Sequence, residues 1–88
     1  MRLFPQRSAR RRVVALLAEV RPESASRAAA GGARLGQDLG MDSLATAALA
    51  VRLAEEFEID LVALAGRRAE IETIDDLVAV VEELADAG

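Results

Sequence analysis

Three segments of this chain carry apolar residues at the spacing of a single helix face. Val13, Leu16, Leu17 and Val20 fall at i, i+3, i+4 and i+7. Leu49, Leu53 and Phe57 recur every fourth residue, and Ile74, Leu77, Val78, Val81 and Leu84 form a third stripe. No stretch alternates with period two between turn signals, so strands have little support. The predicted helices cover 8–20, 43–57 and the segment from Thr73 onward. Ser8 is the expected N-cap of the first, and Pro22 bars its continuation. Thr73-x-x-Asp76 has the form of a capping box with Asp in place of Glu.

The intervening segments complete the architecture. Residues 21–42 make an unusually long connection for a small domain. Leu35, Leu39 and Met41 are placed to anchor it on the core, and Gly31, Gly32, Gly36 and Gly40 supply bends. Its loosest point is the span AGGA at 30–33. Residues 60–72 read as irregular, with one short turn of helix; Gly66 and the Arg67–Arg68 pair argue against a longer one. The expected fold is therefore all-α: a small four-helix bundle of three main helices and a short third one, with a long loop between the first two. We expect one domain over residues 1–88, residues 1–7 being a mobile N-terminal tail.

Composition narrows the function. The hydrophobic fraction is 52%, but with two Phe and no Trp or Tyr the core must be aliphatic. There is no cysteine, which excludes disulfides and thiolate metal sites. There is no histidine, so the commonest general base and imidazole ligand are both missing. These absences argue against a self-contained enzyme, and no loop has the oxygen-ligand spacing of a metal site. No run approaches the length of a membrane span. The segment MRLFPQRSARRR has no apolar stretch before a cleavage site, which leads us to expect a cytoplasmic protein.

Charge is unevenly spread. Residues 1–36 hold eight Arg against two Glu, a net +6, and residues 37–88 hold three Arg against thirteen acids, a net −10. The arginine run RSARRR suggests a nucleic-acid contact, but the overall acidity and the lack of stacking aromatics beyond Phe4 and Phe57 weigh against one.

The second helix has two apolar faces. With Leu44 at 0° and about 100° per residue, Leu49, Leu53 and Phe57 cluster near 180°. Leu44, Ala47, Ala48 and Val51 gather on nearly the opposite side, with Glu55 among them and Arg52 and Glu56 alongside. Either the bundle wraps this helix from both sides, or Leu44 and Val51 form an exposed patch for a partner. The patch starts one residue after Ser43. That serine, after Asp42 at a helix start, reads most simply as a cap. Capping alone accounts neither for the long anchored loop before it nor for the patch after it.

The stretch LGQDLGMDSLATAALAVRLAEEFEIDL resembles the heart of the acyl carrier protein family. The resemblance runs through Leu35, Asp38-Leu39-Gly40, the Asp42-Ser43-Leu44 signature, then Leu49, Leu53, Glu55, Glu56 and Phe57. It continues more weakly through Ile59, Leu61, Ile71, Thr73 and Ile74. It implies that Ser43 is the attachment point of 4′-phosphopantetheine, added from coenzyme A and Mg²⁺ by a phosphopantetheinyl transferase. It further implies that Asp42 orients the modifying enzyme, that Leu44 and Val51 pack against partners, and that Glu55 and Glu56 steer them. Carried acyl chains are then sheltered by Leu49, Leu53, Ile59, Ile71 and Leu77. The implied partners are acyl-loading and ketosynthase-type enzymes, and the implied state is a monomer without catalytic residues of its own.

The chain also departs from carriers of fatty-acid synthesis. Ala45, Ala48 and Ala54 stand where acids are common, Arg52 breaks the negative face, and Gly66-Arg67-Arg68 replaces the usual Pro-acid start of the third helix. These departures suit a specialised, polyketide-like or antibiotic pathway. The initiator Met and the length suit a free-standing carrier. The LGMDSL form leans toward acyl rather than aminoacyl or peptidyl cargo. The rival reading is an unmodified helical interaction module.

Overall fold

The computed structural model describes residues 6–24 and 33–87. In chain order they form α1 (Gln6–Val20), a 3-10 turn (Pro22–Ser24), α2 (Ser43–Phe57), α3 (Leu61–Gly66), a second 3-10 turn (Arg68–Glu70) and α4 (Ile74–Ala87). Among the described residues there is no strand, only one isolated bridge between Arg34 and Thr73. The all-α bundle of three main helices and a short third agrees closely with the sequence pattern. No helix among the described residues is long and apolar enough to cross a membrane.

Each main helix buries the stripe its periodicity marks. Val13 and Leu17 of α1 and Leu53 and Phe57 of α2 lie fully inside, as do Ile74, Val78 and Val81 of α4. The core is aliphatic around one aromatic ring. α1 packs on α2 and α4, while α3 closes the gap between α2 and α4.

Helix ends reflect local chemistry. Pro22 halts α1 and opens the 3-10 turn, as expected. The start of α1 differs from expectation: it begins at Gln6, so Ser8 lies inside the helix rather than capping it. A cap is inferred from residue type, and the Val13–Val20 stripe does not fix where the first turn begins. Gln6 and Arg7 belong to α1, while residues 1–5 lie outside the described residues, as do Gly31, Gly32 and most of the AGGA span.

At the other end of α2, Glu58 adopts a left-handed conformation (φ 54°). The N–H of Ile59 then returns to the Ala54 carbonyl at 3.1 Å, a Schellman-type closure. The start of α4 is a full capping box. Thr73 Oγ1 accepts the Asp76 N–H at 3.2 Å, and Asp76 Oδ2 accepts the N–H groups of Thr73 at 3.0 Å and Glu72 at 3.1 Å.

The end of the long connection is tied down on both sides. The Leu35 N–H donates to the Glu72 carbonyl at 3.0 Å, and the Ile74 N–H to the Ala33 carbonyl at 3.1 Å. Asp38 Oδ2 accepts the Arg34 N–H at 2.8 Å. Leu35, Leu39 and Met41 then sink into the core, as their spacing anticipates. Gly40 takes φ +67°, a turn that L-residues with a Cβ rarely make. The chain therefore reaches α2 along a fixed path.

Residues 60–72 are more ordered than their sequence suggests. α3 spans six residues, started by Asp60 Oδ1 accepting the Val62 N–H at 2.9 Å. It ends at Gly66, in keeping with the glycine and the arginine pair beyond it. Arg67 then pairs outward with Glu70 and with Glu83 of α4, at 2.7 and 2.8 Å.

Candidate functional site

The site is built on the first turn of α2. Asp42 is the residue that caps it: its backbone is extended, and its Oδ1 accepts the Ala45 N–H at 2.8 Å. Its other oxygen stands 3.5 Å from an Arg21 Nη. Ser43 is thus the first residue of the helix and does not cap it. It is exposed, and its hydroxyl makes no hydrogen bond among the described residues. The first intrahelical bond runs from the Thr46 N–H to the Asp42 carbonyl at 2.9 Å. The N–H groups of Ser43 and Leu44 precede it and have no partner in the helix, which suits a negative group on the serine oxygen.

The apolar face beyond Ser43 is open. Leu44 is 82% exposed and Val51 43%. Ala47 and Ala48, between them, are exposed as well. Of the two readings left open by the sequence, the bundle wrapped round α2 from both sides fails, and an exposed patch remains. Leu61 and Val62, at the start of α3, are also exposed large apolar side chains.

The acids of α2 stand differently from one another. Glu55 is exposed. Glu56 is half-buried and paired with Arg12 of α1. Arg52 pairs in turn with Glu19, so two ion pairs cross between α1 and α2. Arg12 also sits over the Phe57 ring, 5.8 Å from its centroid. Arg10, from the same arginine run, pairs with Asp75 of α4.

On its other flank, Ser43 lies on the rim of a cleft of about 320 Å³ between α2, α3 and the anchored loop. Leu49, Leu53, Ile71 and Leu77 line it, as expected of a shelter for an apolar chain, together with Leu35, Met41 and Leu64. Ile59 does not line it and packs against the core elsewhere. Thr46 and Arg68 also line it, and neither is marked for this role by the sequence. The one available signal is the Arg67–Arg68 pair, a departure that the sequence alone does not place.

The arrangement is therefore a free hydroxyl on a helix end, an open apolar patch on one side and an apolar cleft on the other. No group of acids among the described residues is arranged to hold a metal ion. The residues fit a covalently attached anionic arm: the hydroxyl is accessible and unencumbered, and the nearby N–H groups favour its charge.

Comparison with known protein families places the chain. The family described as "Phosphopantetheine attachment site" matches residues 11–81, which is most of the chain. No curated protein and no solved structure matches it. Carrier domains of this family interact with a phosphopantetheinyl transferase and with the enzymes of their pathway. The matched segment covers α2 with its cap, its patch and its cleft, and the chain belongs to the phosphopantetheine attachment-site family as a carrier domain for covalently bound 4′-phosphopantetheine.

Proposed function

We propose that Ser43 carries the phosphopantetheine arm and that the chain is an acyl carrier protein serving a specialised, polyketide-like pathway. The observation that carries this reading is the division of labour at the start of α2, where Asp42 does the capping and leaves the Ser43 hydroxyl exposed and free. In the modification, the Ser43 oxygen displaces adenosine 3′,5′-bisphosphate from coenzyme A and forms a phosphodiester, losing its proton to the transferase. The arm supplies a terminal thiol that holds acyl groups as thioesters, which a chain without cysteine cannot form itself.

The remaining residues present and guide. Asp42, exposed beside Ser43, meets the modifying enzyme or its Mg²⁺ with the oxygen not used for capping, which parts from Arg21 as it does so. Leu44 and Val51 provide apolar contact with partners, and Glu55 steers them electrostatically. Glu56 does so less, because Arg12 already faces it. Tethered delivery raises the effective concentration of cargo at each partner without any chemistry from this fold. Acyl cargo is favoured over aminoacyl cargo by the apolar lining of the cleft and by the LGMDSL form of the signature.

The test is labelling with a fluorescent coenzyme A analogue and a broad-specificity transferase. Wild-type chain takes the label and Ser43→Ala does not. Equal labelling of both would move the attachment elsewhere, and labelling of neither would leave only a helical interaction module.

A further inference from the structure

The cleft beside Ser43 is apolar except at one corner. The polar side chains lining it are Ser43, Thr46 and Arg68. Arg68 lies in the 3-10 turn after α3 and also lines a smaller neighbouring cleft of about 210 Å³, again with Thr46 and Met41. The residue thus borders both hollows, the second of which is also lined by Arg34, Gln37 and Glu72.

This arginine differs from most of the others among the described residues. Arg10, Arg12, Arg21, Arg34, Arg52 and Arg67 each face a carboxylate. Among the described residues Arg68 faces none. Its one hydrogen bond runs from Nη1 to the Ile71 carbonyl at 3.4 Å, which holds the side chain across its own turn. A guanidinium has five N–H donors, and because Arg68 is exposed the others face solvent, where a ligand oxygen can take them. Arg11 also lacks an ion pair among the described residues and is exposed, as Arg68 is, but it lines neither hollow.

A saturated chain entering this cleft would gain from Leu49, Leu53 and Leu77 and would cover part of the Arg68 head without offering it an acceptor. Covering a charged donor without a partner is unfavourable, whereas a bond from guanidinium to an oxygen is among the stronger hydrogen bonds. We propose that Arg68 makes the cleft selective for oxygen-bearing acyl chains. It donates to a carbonyl or carboxylate oxygen of the carried chain, Thr46 Oγ1 offers a second donor, and the alkyl part rests on the leucines. This rests on Ser43 being the attachment point and adds a cargo class to it.

The experiment loads ¹⁵N-labelled chain at Ser43 from four coenzyme A forms: unacylated, hexanoyl, 3-oxohexanoyl and malonyl. The Arg68 Nε–H resonance and the Leu53 and Leu77 methyl resonances are followed by NMR. The expected result is an Arg68 shift at least severalfold larger with 3-oxohexanoyl or malonyl than with hexanoyl or the bare arm. Movement with only one of the two oxygen-bearing chains supports the proposal and names the acceptor. In Arg68→Met, the methyl shifts for hexanoyl and 3-oxohexanoyl become equal. The proposal is overturned if hexanoyl moves Arg68 as far as 3-oxohexanoyl and malonyl do. It is equally overturned if the bare arm moves it as far, which would assign Arg68 to the phosphate. Failure to load at Ser43 at all would strike the site reading itself, and is distinguished by the absence of any mass change.

Discussion

Asp42 Oδ1 accepts the N–H of Ala45 at 2.8 Å, and this bond frees the intervening Ser43 from any part in holding the helix. The two neighbours should therefore separate in mutagenesis. Asp42→Ala is expected to cost about 1 kcal/mol of stability, the usual value of an N-cap. Ser43→Ala, at an exposed site, should stay within about 0.5 kcal/mol of wild type. Urea denaturation followed by circular dichroism compares them. A larger loss for Ser43→Ala would return the capping role to the serine.

The two faces of α2 predict opposite outcomes for similar truncations. Leu53 is 1% exposed, and Leu53→Ala should cost about 2–5 kcal/mol through lost burial and the cavity left behind. Leu44 is 82% exposed, and Leu44→Ala should change stability by less than about 0.5 kcal/mol. The same variant should raise the transferase KM for the carrier about fivefold, as loss of an apolar contact of about 1 kcal/mol would do. An unchanged KM would remove Leu44 from the docking surface.

Glu58 holds a left-handed conformation that costs an L-residue roughly 1–2 kcal/mol and glycine almost nothing. Glu58→Gly should stabilise the chain by about 0.5–1 kcal/mol, after allowing for the greater entropy of an unfolded glycine. A rise in Tm checks it. A fall would mean that the Glu58 side chain contributes more than its backbone costs.

The capping box of α4 carries a pH signature. The N–H groups of Thr73 and then Glu72 hold the Asp76 carboxyl below its ordinary range. Because the folded pKa is the lower one, this contribution is complete above about pH 4, where the unfolded carboxyl is ionised, and is lost as pH falls through the folded value. Asp76→Asn keeps an acceptor oxygen but cannot titrate. It should be less stable than wild type at pH 7 by up to about 1 kcal/mol, and the gap should narrow toward pH 2. The difference between the two chains isolates this residue from Glu70, which Arg67 also holds low. A gap independent of pH would show that the charge of Asp76 adds nothing.

Much of the fold and the site is legible in the residues because it is local. The bounds of α2 come from Asp42 before it and the Leu49–Leu53–Phe57 stripe along it. The box at Thr73 and Asp76 comes from spacing alone. The features that escape a sequence reading depend on contacts between distant segments. One short turn of helix is expected within 60–72, but six residues carry too little periodicity to fix its bounds, and its place comes from packing between α2 and α4. The opposite charges of the two halves are visible in the chain, but their resolution into Arg12–Glu56, Arg52–Glu19 and Arg10–Asp75 requires the helices to be placed. Arg68 reads as an oddity of the third segment and not as the corner of a cleft, because no sequence pattern brings it beside Thr46.

The most direct measurement of the central claim is the intact mass of the chain after incubation with coenzyme A, Mg²⁺ and a broad-specificity phosphopantetheinyl transferase, with peptide mapping of the product. The predicted result is a single added phosphopantetheinyl group, located on Ser43. An unmodified chain under conditions that fully convert another carrier, or a group mapped to any other residue, would contradict it.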